Sequence, residues 1–246
     1  MNNFEDFDEE AARFELIQKM ELAKSCDKDA IRDLDTHLNL IRDYEKHVRN
    51  IGDYSEIFYE LEDDIARILN DSFFREDRVG SNAARCPELF KLIYEYFNDD
   101  PNIEVVLACN PNIPDEITKK LIASDSFWEE DGAQQALARN RTEPWILEKL
   151  ALSEQDSVRY EVAISEFTSP KILDSLISDT NRCDWRVEES RFGEVSAYRG
   201  YIRWAVIQNP NTDLGTLKRV INEELESVDT ESDEILKRIA TELLNE

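Results

Sequence analysis

The chain repeats itself, and that repetition constrains its fold more than any other feature. Thr142-x-Pro144-x-Ile146-Leu147-x-x-Leu150-Ala151 is matched without a gap by Thr168-x-Pro170-x-Ile172-Leu173-x-x-Leu176-Ile177, a displacement of 26 residues. The frame fits again at Thr212, Leu214, Leu217, Val220 and Ile221, and at Ile113, Asp115, Ile117, Leu121 and Ile122. A looser fit runs through Pro87, Leu89, Phe90, Ile93 and Tyr94. The stretch before it recurs too: Val158-Arg159-Tyr160-Glu161-Val162-Ala163 corresponds to Ile202-Arg203-Trp204-Ala205-Val206-Ile207, and Asn110-Pro111-Asn112 to Asn209-Pro210-Asn211. Self-similarity of this kind marks stacked supersecondary units.

The chemistry of one unit is readable. A short apolar helix ends at an Asn-Pro-Asn-Thr type of turn, because proline cannot continue a helix and drives the residue before it into an extended conformation. Thr or Pro then opens the next helix: Thr is a competent N-cap, and Pro suits the first turn, where its missing N–H was unpaired anyway. The following Ile and Leu residues form one stripe that a single unit cannot bury. Stacked neighbours bury it, so the repeats predict an α-solenoid.

With only 6 glycines and 7 prolines and no sustained period-two alternation, the chain is expected to be all-α. Three further helical patterns precede the repeats. Phe4, Phe7, Ala11, Phe14 and Ile17 share one face, as do Leu34, Leu38, Ile41 and Val48, and then Tyr54, Ile57, Phe58, Leu61, Ile65 and Leu69. Residues 1–79 are therefore read as an N-terminal helical bundle or cap, 80–222 as helical repeats with an insertion at about 180–201, and 223–246 as a C-terminal capping helix.

The pattern Val-Arg-x-x-Val-Ala, followed by Asn-Pro-Asn-Thr and an Ile-Leu-x-x-Leu helix, resembles the leucine-rich repeat variant family, and some units resemble HEAT-type helix pairs. The resemblance covers about residues 80–222 and is carried by Asn110 to Leu121, Val158 to Ile177 and Ile202 to Ile221. It implies a right-handed superhelix of short helices. A described member of that family carries an iron–sulfur cluster on clustered N-terminal cysteines. No such cluster of cysteines occurs here, so no cofactor is carried over.

Lys and Arg total 29 against 55 Asp and Glu, a formal charge of −26. A surface of that sign repels nucleic acid backbones and anionic membranes and steers basic proteins toward it, so direct nucleic acid binding is not expected. No stretch approaches a membrane span, and the N-terminus lacks the basic and apolar regions of a secretion signal, which suggests a cytoplasmic location. Cys26, Cys86, Cys109 and Cys183 form no Cys-x-x-Cys pair and read as reduced, mostly buried side chains.

No His-Glu-x-x-His, glycine-rich phosphate loop or Gly-x-Ser-x-Gly is present, and neither a metal site nor a catalytic set is predicted. His37 and His47 read as exposed helical histidines, and Asp63-Asp64 and Glu129-Glu130-Asp131 as solvated charge whose side chains diverge. Arg139 and Arg141 are expected to form local ion pairs, Trp128 and Trp145 to fill wedges between helices, and Trp204 to join the core. The insertion departs from the general acidity. It holds Arg182, Trp185, Arg186, Arg191, Phe192, Tyr198, Arg199 and Tyr201, residue types enriched at binding hot spots, and is the candidate partner-binding segment. The expectation is a non-catalytic adaptor or inhibitor that recognises a protein partner, basic in character, through an acidic solenoid surface. The alternatives are a DNA-mimicking inhibitor or immunity protein against a basic nucleic-acid-binding protein or nuclease, and an enzyme whose carboxylates are assembled by folding.

Overall fold

The computed structural model describes residues 4, 7–50, 61–70, 83–98, 100–124, 127–128, 131–183, 201–222 and 224–245. Among these the protein is all-α apart from one two-residue strand pair, β1 (Phe127–Trp128) against β2 (Asp131–Gly132), antiparallel with Phe127 opposite Gly132. The chain divides into two compact units, residues 1–136 and 137–246.

The first unit holds α1 (Glu9–Ala23), α2 (Lys28–Asn50), α3 (Leu61–Asn70), α4 (Pro87–Phe97), α5 (Pro101–Cys109) and α6 (Asp115–Ile122), and α7 (Ala133–Asn140) begins at its end. On α2 the predicted face is the buried one: Leu34, Leu38, Ile41 and Val48 all lie in the core. On α1 it is not. Ala12, Leu16, Met20 and Ala23 are buried, whereas Phe14 is 61% exposed. This helix carries apolar residues on most of its circumference, so periodicity alone cannot choose the inward stripe.

Two further expectations fail here for one physical reason, the pairing of buried polar groups. His37 is buried, with Nε2 2.9 Å from the Ala12 carbonyl, while His47 is exposed as expected. Asp64 is also buried and takes Arg13 at 3.0 Å and Arg67, so it is an internal acceptor and not solvated charge.

The second unit holds the remainder of α7, then α8 (Pro144–Leu150), α9 (Asp156–Ile164), α10 (Pro170–Leu176), α11 (Ile202–Gln208), α12 (Leu214–Ile221) and α13 (Thr230–Leu244). Proline occupies the first turn of α8 and α10, and α9 packs on both α10 and α11. Threonine does something other than cap. The Thr168 hydroxyl donates back to the Val162 carbonyl at 2.5 Å, and Thr212 does the same to Val206. The caps fall one residue later, where Ser169 accepts from Ile172 N and Asp213 from Thr216 N.

The asparagine turns have a shared geometry. Asn110 donates Nδ2 to the Leu69 carbonyl at 2.6 Å, and Asn209 donates to the Ala163 carbonyl at 2.8 Å. Each accepts at Oδ1 from the N–H two residues on, Asn112 and Asn211 respectively. Within the first unit α3 thus stands to α5 as, within the second, α9 stands to α11. The helix read from sequence as part of a cap has the bonding of a repeat's first helix.

A second device recurs at the second residue of the aligned segments that begin at Ile103, Ala133, Val158 and Ile202. Gln134 donates to the carbonyls of Ile122 and Ser124, Arg159 to those of Ser153 and Glu154, and Arg203 to that of Ile177. These carbonyls lie at the ends of α6, α8 and α10, where intrahelical donors run out. A long donor at this position therefore closes the preceding helix. Glu104, the equivalent residue of α5, cannot donate when ionised and instead accepts from Ser124 Oγ at 2.7 Å.

The cysteines correct the sequence reading. Cys26 and Cys86, 60 residues apart with Cα atoms separated by 5.2 Å, are joined by a disulfide, whereas Cys109 and Cys183 are free and buried. No helix of the described residues is long and apolar enough to cross a membrane.

Candidate functional site

Of the eight predicted partner-binding residues, Trp185, Arg186, Arg191, Phe192, Tyr198 and Arg199 lie outside the described residues. The other two mark where the insertion leaves and rejoins the helical frame. Arg182 and Tyr201 form an antiparallel bridge, and Ile202 N donates to the Asn181 carbonyl at 3.2 Å. The Arg182 guanidinium carbon lies 5.9 Å from the Tyr201 ring centre, within the range of a cation–π contact.

Tyr201 in turn reaches the start of α13, where its hydroxyl donates to Asp229 Oδ2 at 3.0 Å. Burial, then the neighbouring Asp229 carboxylate, holds the phenol above its ordinary pKa. Asp229 is itself the N-cap of α13 and accepts from Ser232 N at 2.8 Å; the Ser232 hydroxyl and N–H keep its carboxyl below the usual range. The root of the insertion is therefore fixed to α13 by a neutral phenol on an ionised cap.

Beside this root α11, α12 and the first turns of α13 enclose a cavity of about 430 Å³. Val220, Leu225 and Leu236 give it an apolar wall, and Ser227, Thr230, Asp233, Glu234, Lys237 and Arg203 supply polar groups. Arg203 is 3% exposed. Its Nε donates to the Ile177 carbonyl at 2.9 Å and its Nη1 lies 3.6 Å from Asp233, but Nη2 has no hydrogen-bond partner. Burial pulls this guanidinium below its ordinary pKa, against the opposing pull of Asp233 and more distant acids. The two cations and two carboxylates of the wall balance, so the cavity is dipolar, not acidic.

The remaining expected positions are resolved more simply. Arg141 pairs with Glu143, Nε to Oε2 at 3.1 Å, and Arg139 with the buried Glu161 at 3.1 Å, so both form local ion pairs. The Arg141 guanidinium is the main reason the Glu143 carboxyl lies below its usual range. Trp145 and Trp204 are each half-buried, and Trp128 stands in β1. Glu129 and Glu130 lie outside the described residues.

Some bases are paired with carboxylates, whereas others, such as Lys28, Lys46, Lys149, Lys171 and Lys218, face solvent. Arg13, Lys19, Arg67, Arg139, Arg141, Arg159 and Arg219 each meet a carboxylate of the same unit. Many acids, such as Glu10, Glu21, Asp63, Glu95, Glu148, Glu154, Glu166, Glu231 and Glu242, face solvent.

Sequence reasoning missed one potential ligand set. The sulfurs of Cys26 and Cys86 and a carboxylate oxygen of Glu88 lie within 4.8 Å of one another. A separation of 60 residues gives no spacing signal. The Pro87-Glu88 pair at a helix start was the visible clue to Cys86 as an N-cap.

No protein-family profile, curated protein or solved structure matches this chain.

Proposed function

We propose that the protein is a non-catalytic helical-repeat scaffold, an adaptor or inhibitor, that recognises a basic protein partner through its acidic surface. The observation that carries this reading is the disposition of charge. A formal charge of −26 leaves a large excess of carboxylates however the arginines and lysines are paired, and many of those acids face solvent. A field of that sign accelerates association with a basic partner and weakens as salt rises.

The repeat chemistry supports a right-handed solenoid of the leucine-rich repeat variant or HEAT-like kind as the scaffold, and the absence of a long apolar helix among the described residues fits a soluble, cytoplasmic setting. The Arg182–Tyr201 root, tied to Asp229, would present the aromatic and arginine residues of the insertion as a second anchor. The sharper form, a DNA mimic or immunity protein that neutralises a nuclease, rests on the same charge.

The test is affinity capture of the tagged protein from its native lysate at low and high ionic strength, followed by binding measurements with the purified captured protein. A basic protein whose affinity falls steeply with salt is the expected result. A partner bound equally at both ionic strengths, or none at either, would count against electrostatic recognition.

A further inference from the structure

The Cys26, Cys86 and Glu88 cluster lies in the first unit, and it assigns a chemistry beyond partner recognition. Cys26 follows α1 and is exposed, Cys86 is the buried N-cap of α4, and Glu88 is an exposed residue in the first turn of the same helix. Glu88 Oε2 is 3.4 Å from Cys26 Sγ and 3.6 Å from Cys86 Sγ. Bonded to each other, the sulfurs carry no protons. The carboxylate therefore faces two acceptors and gains no hydrogen bond from either. The helix dipole accounts for an acid in this turn, but not for its lying on the sulfurs when water is available to it.

The distances have another meaning. A tetrahedral zinc ion, at about 2.3 Å from thiolate sulfur and about 2.0–2.2 Å from a carboxylate oxygen, holds sulfur and oxygen about 3.5 Å apart and two sulfurs about 3.8 Å apart. Both sulfur–oxygen edges already have that length. Only the sulfur–sulfur edge is contracted, by the covalent bond.

We propose that Cys26 and Cys86 are a redox-gated metal site, which on reduction binds one Zn²⁺ through both thiolates and the Glu88 carboxylate, with a water from the exposed side completing the tetrahedron. The opening step is ordinary thiol–disulfide exchange. A thiolate of a dithiol reductant attacks the exposed Cys26 sulfur, the S–S bond breaks, and Cys86 leaves as a thiolate at the N-terminus of α4, where unpaired N–H groups favour negative charge. The second thiol of the reductant then displaces Cys26. Two electrons pass to the pair, the reductant becomes a disulfide, and two thiols form. Zinc binding releases their protons. In a reducing compartment the metal takes over the cross-link between the α1–α2 turn and α4.

The test uses the full chain, reduced with a non-chelating phosphine and freed of reductant under anaerobic conditions, then titrated with Co²⁺ and Zn²⁺. The expected result is one equivalent of Co²⁺ giving the thiolate charge-transfer and tetrahedral ligand-field bands, displaced by Zn²⁺. The oxidised protein should give neither. Glu88→Gln should weaken the site by at least about tenfold, Cys86→Ser should abolish the charge-transfer band, and a Cys109→Ala/Cys183→Ala double variant should retain it. The proposal fails if the reduced wild type binds no stoichiometric metal, if oxidised protein binds as well as reduced, or if the bands survive Cys86→Ser. The first two comparisons need no variant, so a misfolded mutant cannot obscure them.

Discussion

Asn209 donates its side-chain amide to the Ala163 carbonyl at 2.8 Å, joining the turn after α11 to the end of α9. The same nitrogen reaches the Ser165 carbonyl at 2.8 Å, and Oδ1 accepts from Asn211 N at 2.9 Å. One 5% exposed side chain thus satisfies two carbonyls and one N–H. Asn209→Ala should cost about 2–4 kcal/mol, since each buried polar group left without a partner costs about 1–3 kcal/mol. Asn209→Asp keeps the shape but replaces the donor by a second acceptor, so at neutral pH it should cost at least as much. Urea melts of the three proteins check this; an Asp variant as stable as wild type would mean that the turn is held by its backbone alone.

Arg159 and Arg203 occupy equivalent positions of successive repeats, yet the same substitution should affect them differently. Arg159 is fully used: Nε meets Asp179 at 2.6 Å, Nη1 the Ser153 carbonyl at 2.7 Å, and Nη2 Asp156 at 2.5 Å. Arg159→Met leaves the mostly buried Asp179 without this cation and should cost about 3 kcal/mol. Arg203 is buried with Nη2 unpartnered. Arg203→Met removes that unmet demand along with one hydrogen bond and a long contact to the partly exposed Asp233, and should change stability by no more than about 1 kcal/mol in either direction. Equal losses at the two sites would show that the repeat position, not its bonding, sets the cost.

These contrasts show what the sequence made legible. The alignment of Val158–Ile177 with Ile202–Ile221 placed α9, α10, α11 and α12 because turn chemistry and apolar spacing recur together there. Leu61, Ile65 and Leu69 gave a helix, but the bond from Asn110 to the Leu69 carbonyl, which parallels that from Asn209 to Ala163, left no trace in the sequence around α3. The inward face of α1 was misread because both faces are apolar. Burial of Asp64 and His37, like the meeting of Cys26 with Cys86, depends on partners 25 to 60 residues away in sequence, and periodicity carries no information about them.

Cys26 has a φ of 61°, the left-handed conformation that usually falls to glycine after a helix. For a residue with a Cβ that conformation costs about 1–2 kcal/mol. In the oxidised protein the cost is offset by the cross-link, since closing a 60-residue loop is worth about 4 kcal/mol on the chain-entropy account. Cys26→Gly should therefore be less stable than oxidised wild type by about 3 kcal/mol, yet more stable than reduced, metal-free wild type by about 1 kcal/mol. Denaturant midpoints with and without reductant, in the presence of a chelator, test both signs. A variant below reduced wild type would show that Cys26 is held by contacts unrelated to its backbone.

Glu45 provides a pH dependence whose direction is unusual for a carboxylate. Burial, aided by the nearby Glu9, pushes its pKa up from 4.5 to about 7, against the opposing pull of Arg49. Between these two values the folded protein binds more protons at this site than the unfolded chain, so stability falls as pH rises. The contribution is fully present below about pH 4.5 and lost above about pH 7. Taken at face value the shift corresponds to roughly 3 kcal/mol, but the side chain is only partly buried, and solvent screening reduces the expected effect to about 1 kcal/mol. Glu45→Gln keeps a neutral side chain at every pH. It should match wild type near pH 4.5 and exceed its stability by about 1 kcal/mol at pH 8. Comparing the two proteins at each pH cancels the titration of the other carboxylates. Parallel stability curves would place Glu45 in water in the folded state.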